Sequence, residues 1–185
     1  PLALAGSRHI PFSSLDHEMA EGAFTFTSAS KGWNVPGLKC GLAVVASAGN
    51  AAVLEERWEA LIASHLGVLA TIAAFSQAGD WLTAVRGQLA ANRQILADLV
   101  GELLPGVGYV APEASFLAWL DCRALDLGDD PSAVMLEAGR VALAAGPTFG
   151  GAGKGHVRLN IGTSPELIGE AVRRMRTACY SSVPG

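Results

Sequence analysis

The sequence contains few charged residues, and this shortage excludes two classes of protein. Only 16% of the 185 residues are charged, 50% are hydrophobic, and the formal net charge is −4. A nucleic-acid-binding protein would need a basic patch or stripe, so no nucleic-acid partner is expected. An intrinsically disordered chain would combine low hydrophobicity with high net charge. The composition instead predicts a compact, ordered protein.

Cysteine is also scarce. The three cysteines have neither metal-site nor redox-motif spacing: Cys40, Cys122 and Cys179. Disulfides are typical of secreted chains, whereas scattered cysteines are typical of reduced intracellular proteins, so we expect structural thiols in a cytoplasmic protein. The four histidines have no spacing that would bind zinc, and none is expected to be catalytic: His9, His17, His65 and His156.

No hydrophobic run is long enough to cross a membrane. The most apolar run, residues 61–75, is interrupted by Ser64, His65 and Thr71. A membrane-spanning helix needs about 20 predominantly apolar residues. We therefore interpret this run as part of a buried helix and expect no membrane partner.

Lysine is the rarest charged residue, and two of the three lysines fall within residues 25–41. Lys31 follows a β-prone run and lies among small residues. Burial there, with Lys39 as a second cation, would favour the neutral amine, which is the form that makes a Schiff base. The hydroxyls of Ser28 and Ser30, together with the charge of Lys39, are suited to bind a phosphate. On residue types alone, a surface loop with two solvated lysines is the favoured alternative.

The first half of the chain predicts two strands followed by two helices. Strands are expected at residues 23–27 and 41–46, and the continuously apolar second run is typical of a strand buried on both faces of an α/β sheet. Apolar residues then recur at three- and four-residue steps over residues 51–77 and again over residues 82–103. These two patterns predict a pair of packed helices.

The rest of the chain predicts a small α+β domain. We expect strands at residues 109–110, 115–120, 141–145 and 156–161, and helices at residues 131–138 and from residue 165 onward. The glycine-rich stretch 146–155 is followed by a strand, whereas a nucleotide-binding loop would open a helix. It is therefore expected to be a flexible loop without a nucleotide.

Arg158 stands in an otherwise apolar predicted strand. Strand alternation places it on the face opposite Val157 and Leu159. It needs a partner, because an unpaired buried charge is strongly unfavourable. Two partners remain open: an acidic side chain of the same chain in a structural ion pair, or a ligand carboxylate that the guanidinium binds through two parallel hydrogen bonds.

One motif links these features to a known family. Residues 28–41 contain Ser-x-Ser-Lys, then Asn-x-Pro-Gly-Leu and a second cation eight residues after the lysine. This segment resembles the cofactor-lysine segment of fold-type I pyridoxal-phosphate enzymes, the class I/II aminotransferase superfamily. It most resembles the C–S β-lyases of the cystathionine β-lyase and maltose-regulon-modulator group. The resemblance extends through residues 9–12, 118–121 and 157–162, so it covers nearly the whole chain.

The resemblance implies an α/β fold that corresponds to the C-terminal part of a fold-type I enzyme, because members of the family are much longer. Residues 1–85 would be the end of the large cofactor-binding domain and its sheet. Long helices would connect it to residues 86–185, the small α+β domain. The resemblance also implies a homodimer whose active site forms between subunits, with the groups that hold the cofactor ring outside this chain.

The resemblance further implies roles for individual residues. Lys31 would bind pyridoxal 5'-phosphate (PLP) as the Schiff-base lysine and then act as a general base. Ser28, Ser30 and Lys39 would hold the phosphate, although many members have arginine at the position of Lys39 and lysine lacks its bidentate fork. Arg158 would bind the α-carboxylate of a small amino-acid substrate.

The implied reaction is β-elimination from cystathionine or a cysteine S-conjugate, which yields pyruvate, ammonia and a thiol. Two alternatives stay open. The first is an aminotransferase that uses the same lysine and arginine. The second is a chain that is catalytically inactive by itself and serves only as a dimerising module.

Overall fold

The described part of the chain forms two compact units. The structure, a computed structural model, describes residues 1–15, 18–57 and 62–180; the predicted positions His17, Trp58 and Leu61 lie outside these ranges. The first unit contains residues 1–3 and the described residues between 7 and 86, and the second contains residues 4–6 and the described residues from 87 onward. In these ranges no single helix is long and apolar enough to span a membrane, and only one consecutive pair, bent at the break, meets that length and composition together.

The first unit contains a two-stranded antiparallel ribbon and several helices. Its elements are α1 (Glu18–Glu21), β1 (Phe24–Thr27), β2 (Leu42–Val45), α2 (Ala48–Glu55), α3 (His65–Gln77) and the first turns of α4 (Gly79–Leu103). The ribbon pairs Phe24 with Val45 at one end and Thr27 with Leu42 at the other. Both strands therefore lie close to their predicted positions.

The prediction that the second strand is buried on both faces is wrong. Among the described residues β2 pairs only with β1, and Leu42 and Val44 are 38% and 50% exposed. A continuous apolar run becomes buried only where other elements pack on both faces of the strand, and this ribbon lacks that cover. Helix α3 adds five further exposed apolar side chains: Leu66, Val68, Leu69, Ile72 and Phe75.

The prediction of one helix over residues 51–77 is also wrong, because α2 and α3 are separate helices. Ser64 is extended (φ −71°, ψ 144°), and its Oγ accepts a hydrogen bond from the backbone N–H of Gly67 at 3.0 Å. Serine is a favoured N-cap because its short side chain satisfies a free N–H of the first turn. The apolar spacing thus continues across a point where a new helix begins.

The long connection between β1 and β2 is held against both ends of α3. Beside the first turn of the helix, the Oγ of Ser64 donates to the carbonyl of Leu38 at 3.0 Å. Beyond the last turn, the indole Nε1 of Trp33 donates to the carbonyl of Ala78 at 2.9 Å. The Trp33 ring also packs edge-on against Phe75, with ring centroids 4.8 Å apart. These contacts fix the segment that contains the predicted lysine motif.

An antiparallel sheet of four strands with packed helices forms the second unit. Its elements are the rest of α4, β3 (Gly108–Tyr109), β4 (Leu117–Asp121), α5 (Pro131–Gly139), β5 (Ala144–Ala145), β6 (His156–Asn160) and α6 (Pro165–Tyr180). The strand order is β3-β4-β6-β5. Strand β6 pairs with β4 along its whole length, from His156 opposite Asp121 to Asn160 opposite Leu117.

The two faces of this sheet differ. One face forms the core with side chains from α4, α5 and α6, among them Leu96, Val100, Leu120, Met135, Val157, Ile161, Val172 and Met175. The other face carries Trp119, Arg158 and Asn160, which are exposed or half-buried. The alternation predicted for β6 is confirmed.

Two neighbouring predictions have different outcomes. Helix α5 begins at Pro131 as predicted, and Asp130 caps it by accepting from the N–H of Ser132 at 3.1 Å. The strand predicted at residues 141–145 is reduced to its last two residues. The N–H of Val141 donates to the carbonyl of Met135 at 3.1 Å, so this residue closes α5 and does not join the sheet.

Asn92 of α4 joins the helix to the segment that follows β6. Its side chain is fully buried, with 0% exposed. The Nδ2 atom donates to the carbonyls of Ile161 and Thr163 at 2.8 Å each, and Oδ1 accepts from Nε2 of Gln88 at 2.9 Å. Every polar atom of this amide therefore has a partner, as a buried polar group requires.

Replacing Asn92 with aspartate should lower the free energy of unfolding by about 2–4 kcal/mol near neutral pH. The carboxylate would face two carbonyl oxygens without a proton to donate. Its surroundings would raise the pKa of the new carboxyl above the ordinary value, so the loss should be smallest in acid and should grow as pH rises through the folded pKa. Urea unfolding at about pH 4.5 and 7.5 measures both effects.

The matched control is Asn160→Asp, because Asn160 is exposed and its Oδ1 accepts from the N–H of Gly162 at 2.8 Å. Aspartate keeps that acceptor, so the change should stay within about 0.5 kcal/mol. An equal, pH-independent loss for both variants would contradict the assignment of Asn92.

Replacing Gly67 with alanine should destabilise the first unit by about 1–3 kcal/mol. A Cβ at this position would overlap the carbonyl oxygen of Leu38. The control is Gly87→Ala in α4, where no neighbouring atom lies within 4 Å of the added carbon and stability should rise by about 0.5–1 kcal/mol. Urea unfolding of the two variants should therefore give changes of opposite sign, and a gain for Gly67→Ala would refute the close contact.

Candidate functional site

Lys31 lies in a tight turn directly after β1. The backbone N–H of Trp33 donates to the carbonyl of Ala29 at 3.0 Å, and that of Val35 donates to the carbonyl of Ser30 at 3.1 Å. Ala29 is buried in this turn, whereas Lys31 is exposed. The expectation that Lys31 is buried is therefore wrong for this chain, because the turn buries its backbone neighbours and leaves the lysine side chain outside.

Lys31 and Ser28 line the same open pocket, which has a volume of about 480 Å³. The other lining residues are mostly small or apolar: Pro1, Leu2, Phe26, Thr27, Gly32 and Gly41. Ser30 is half-buried in the turn and is not among them. Lys39 is exposed and ends the helical turn Pro36–Leu38 in the left-handed conformation, with φ 48°. The pocket thus brings together two of the four residues predicted in this segment.

The side chains of this pocket fit a cofactor that carries both an aldehyde and an anionic group. A primary amine condenses with an aldehyde, and a serine hydroxyl donates to a phosphate oxygen. The pocket volume also falls within the range of about 300–1,000 Å³ that is usual for ligand sites. Pyridoxal phosphate carries both groups, so the donor set of Lys31 and Ser28 fits it.

Arg158 belongs to the second unit and lies in the middle of β6. In the sheet it is opposite Trp119 of β4 and Ala144 of β5. The ring of Phe149 covers the guanidinium, whose Cζ lies 4.5 Å from the ring centroid. No carboxylate of the described residues forms an ion pair with Arg158. The structural ion pair left open by the sequence is therefore not found there, which favours a ligand carboxylate as the partner.

The aromatic side chains next to Arg158 are functional candidates that sequence patterns did not identify. Trp119 packs edge-on against Phe149, with centroids 5.6 Å apart, and stacks on His156 at 5.4 Å. Sequence alternation in β4 gives the face of Trp119 only when the pairing of β4 with β6 is also known, because that pairing sets Trp119 opposite Arg158. Phe149 lies on a turn, where no periodic signal exists.

The glycine-rich stretch, which the sequence predicts to be a loop, contains two short helical turns. It forms two short 3-10 turns, Gly146–Phe149 and Gly151–Gly153. Lys154 follows and forms an ion pair with Asp129 at 2.7 Å, directly before β6. A nucleotide-binding loop would open a helix at this point, whereas here a strand follows. The third lysine, Lys154, forms a surface ion pair.

Two of the described cysteines are poor candidates for a catalytic nucleophile. Burial raises the pKa of the Cys122 thiol to about 12 and also raises the pKa of Cys179, which keeps both thiols protonated and unreactive. Within the ranges that the structure describes, no group of three or more His, Cys, Asp or Glu side chains could hold a metal ion. Lys31 and Arg158 remain the candidate functional residues.

Comparison with known proteins assigns the chain to a family. Residues 4–175 match the family model described as Aminotransferase class I and II. A Mycobacterium tuberculosis protein provisionally named cystathionine beta-lyase is 43% identical, over 95% of this chain and 47% of its own length. Cystathionine beta-lyase PatB of Bacillus subtilis is 32% identical, over 96% of this chain and 47% of its own length. The chain spans about half the length of the curated relatives it matches.

A solved structure matches the same extent of chain. The crystal structure of the PLP-bound C–S lyase from Staphylococcus hominis superposes with a TM-score of 0.87 at 25% identity, over 99% of this chain and 48% of that one. These matches confirm the predicted resemblance to C–S lyases and the predicted fold class, the C-terminal part of a fold-type I enzyme. The chain belongs to the aminotransferase class I and II family.

Proposed function

We propose that the full-length protein that contains this chain is a PLP-dependent C–S β-lyase acting on cystathionine or cysteine S-conjugates. Relatives named as cystathionine beta-lyases support this reaction, and they align with 95–96% of the chain. The observation that carries the proposal is the pocket that Lys31 shares with Ser28. Because the chain spans about half the length of these relatives, the activity is assigned to the full-length protein, and this segment alone is expected to be inactive.

Lys31 is the proposed catalytic residue. When bound, pyridoxal phosphate supplies an electron sink for the charge that remains when the substrate loses its α-proton. Lys31 would hold the cofactor in the resting enzyme through its Nζ. The neutral Nζ would take the α-proton of the bound substrate as a general base, and the thiolate would leave from the β-carbon. The aminoacrylate released with the thiol would react with one water to give pyruvate and ammonia.

Four further residues of this chain are proposed to hold the bound groups. Arg158 binds the substrate α-carboxylate, because the planar guanidinium matches two carboxylate oxygens. Ser28 donates to the phosphate, and Ser30 and Lys39 are proposed as additional phosphate contacts. Lys39 contributes charge without the bidentate fork of an arginine. We also propose a homodimer, which the exposed apolar side chains of the first unit support.

An aminotransferase is the second candidate function. A Bacillus subtilis relative named L-glutamine--4-(methylsulfanyl)-2-oxobutanoate aminotransferase is 31% identical, over 89% of this chain and 42% of its own length. Removal of the α-proton by Lys31 and binding of the carboxylate by Arg158 would serve both reactions. A lyase releases pyruvate from a cysteine S-conjugate without an acceptor, whereas an aminotransferase requires an added keto acid, so the two assays distinguish the candidates.

Replacing Lys31 with arginine in the full-length protein should lower the rate of pyruvate formation from cystathionine by about 10²–10⁴-fold. The arginine keeps the charge but provides neither the amine for the cofactor nor the base for the α-proton. Borohydride reduction of the cofactor-loaded protein, followed by peptide mass mapping, should place the label on Lys31 in the parent and nowhere in the variant.

Lys154→Arg is the control for this experiment, because it keeps the ion pair with Asp129 and lies outside the proposed site. It should retain both the label and the rate. Label on Lys39 or Lys154 in the parent protein, or an unchanged rate in Lys31→Arg, would disprove the assignment of Lys31.

Replacing Arg158 with lysine should raise KM for cystathionine by about 10–100-fold and change kcat much less. The loss of the bidentate contact weakens substrate and transition-state binding equally. Arg123→Lys is the control, since Arg123 is exposed and pairs with Asp121 at 2.7 Å. Steady-state kinetics measures both variants, and a lower kcat at unchanged KM in Arg158→Lys would exclude carboxylate binding as its role.

A further inference from the structure

We propose that Phe149 is a positioning residue for Arg158, and that its ring fixes the guanidinium so that the N–H edge is presented to a substrate carboxylate. The inference rests on the proposed carboxylate role of Arg158. It goes beyond that role by assigning the orientation of the arginine to an aromatic side chain where an acidic partner would be usual.

The first observation is the type of contact that Arg158 makes. Its Cζ lies over the Phe149 ring at 4.5 Å from the centroid, and no carboxylate of the described residues pairs with it. A guanidinium is attracted to the face of an aromatic ring without any of its N–H groups donating a hydrogen bond to a carboxylate. An acidic partner would occupy those donors. The aromatic contact thus restrains the side chain and leaves the donors for a ligand.

The second observation is that Phe149 is itself held in place. It ends the turn that begins at Gly146, and the Oγ1 of Thr148 donates to a backbone carbonyl three residues earlier at 2.6 Å. At the base of the turn the Gly146 backbone lies close to the carbonyls of Gly153 and His156, and a Cβ on Gly146 would overlap both. This close packing restrains the backbone beneath the ring, and the ring in turn restrains the arginine.

The third observation is a row of rings behind Phe149. Trp119 meets Phe149 edge-on, with an interplanar angle of 81°, and its own ring stacks on His156 at 21°. The imidazole is fixed in turn, because its Nδ1 lies 2.8 Å from the carbonyl of Lys154. Aromatic pairs in these arrangements stabilise each other beyond simple area burial. The row therefore limits rotation of the Phe149 ring away from Arg158.

An effect of this kind should appear in carboxylate binding and not in proton transfer. The test uses the full-length protein loaded with its cofactor. Phe149→Leu should raise KM for cystathionine by roughly 3–30-fold with little change in kcat, since an aromatic–cation contact contributes free energy of that size. The inhibition constant of propionate, a carboxylate without an amino group, should rise by the same factor. Phe149→Tyr keeps the ring and should restore both values.

Phe12→Leu is the matched control, because Phe12 is 49% exposed and Phe149 is 51% exposed, and it should leave KM and the inhibition constant unchanged. If Phe149→Leu does not yield folded enzyme, Phe149→Met, which removes the ring at similar volume, takes its place. The same rise in KM and in the inhibition constant is expected for Phe149→Met as for Phe149→Leu. Thermal unfolding shows which of the two variants is folded.

A double-mutant cycle with Arg158→Lys separates this inference from the proposed function. In the Arg158→Lys background, Phe149→Leu should have less than about a twofold further effect, because coupled residues are not additive. If Arg158→Lys raises KM but Phe149→Leu does not, or if its effect is equally large in both backgrounds, the positioning role is overturned and the function stands. If Arg158→Lys itself changes neither KM nor propionate inhibition, the carboxylate role fails and the inference fails with it.

Discussion

The close approach of the Gly67 backbone to the carbonyl of Leu38 is the contact on which the lysine segment depends. It lets α3 lie against the connection between β1 and β2, and the hydrogen bonds of Ser64 and Trp33 then hold that connection at both ends of the helix. A connection of this length would otherwise keep many conformations, and ordering each residue costs about 1–2 kcal/mol of entropy. The pocket beside Lys31 exists because this packing selects one conformation.

In the second unit, the position of Arg158 is set by a regular strand and not by a packed loop. Arg158 comes from a regular strand, and its position follows from sheet pairing and alternation. Within the described residues of this unit, helices cover one face of the sheet, and the other face carries the guanidinium without burying it unpaired. Phe149 then gives that face an apolar cover that does not neutralise the charge. The first unit thus presents an amine from a packed loop, and the second unit presents a guanidinium from a strand.

Features that depend on neighbouring residues in the sequence were predicted well, whereas contacts between separate elements were not. The cap at Asp130 and the alternation of β6 depend on neighbouring residues, so both could be predicted from the sequence. The exposure of β2 depends on what packs nearby, which apolar spacing does not encode. The new helix at Ser64 begins with a local N-cap, but the apolar spacing continues across it and hides the break. Lys31 and Arg158 were identified through a family resemblance, because their residue types alone favoured a solvated loop and left an ion pair open. The contact of Phe149 with Arg158 had no sequence signal, since it joins a turn to a strand.

The crowded backbone beneath Phe149 restricts how this region can diverge in evolution. Gly146 and Gly153 approach each other so closely that a side chain on either would force the turn open. Heritable variation must therefore enter at outward positions such as Thr148 and Ala152, which are exposed, or by exchange of the whole turn.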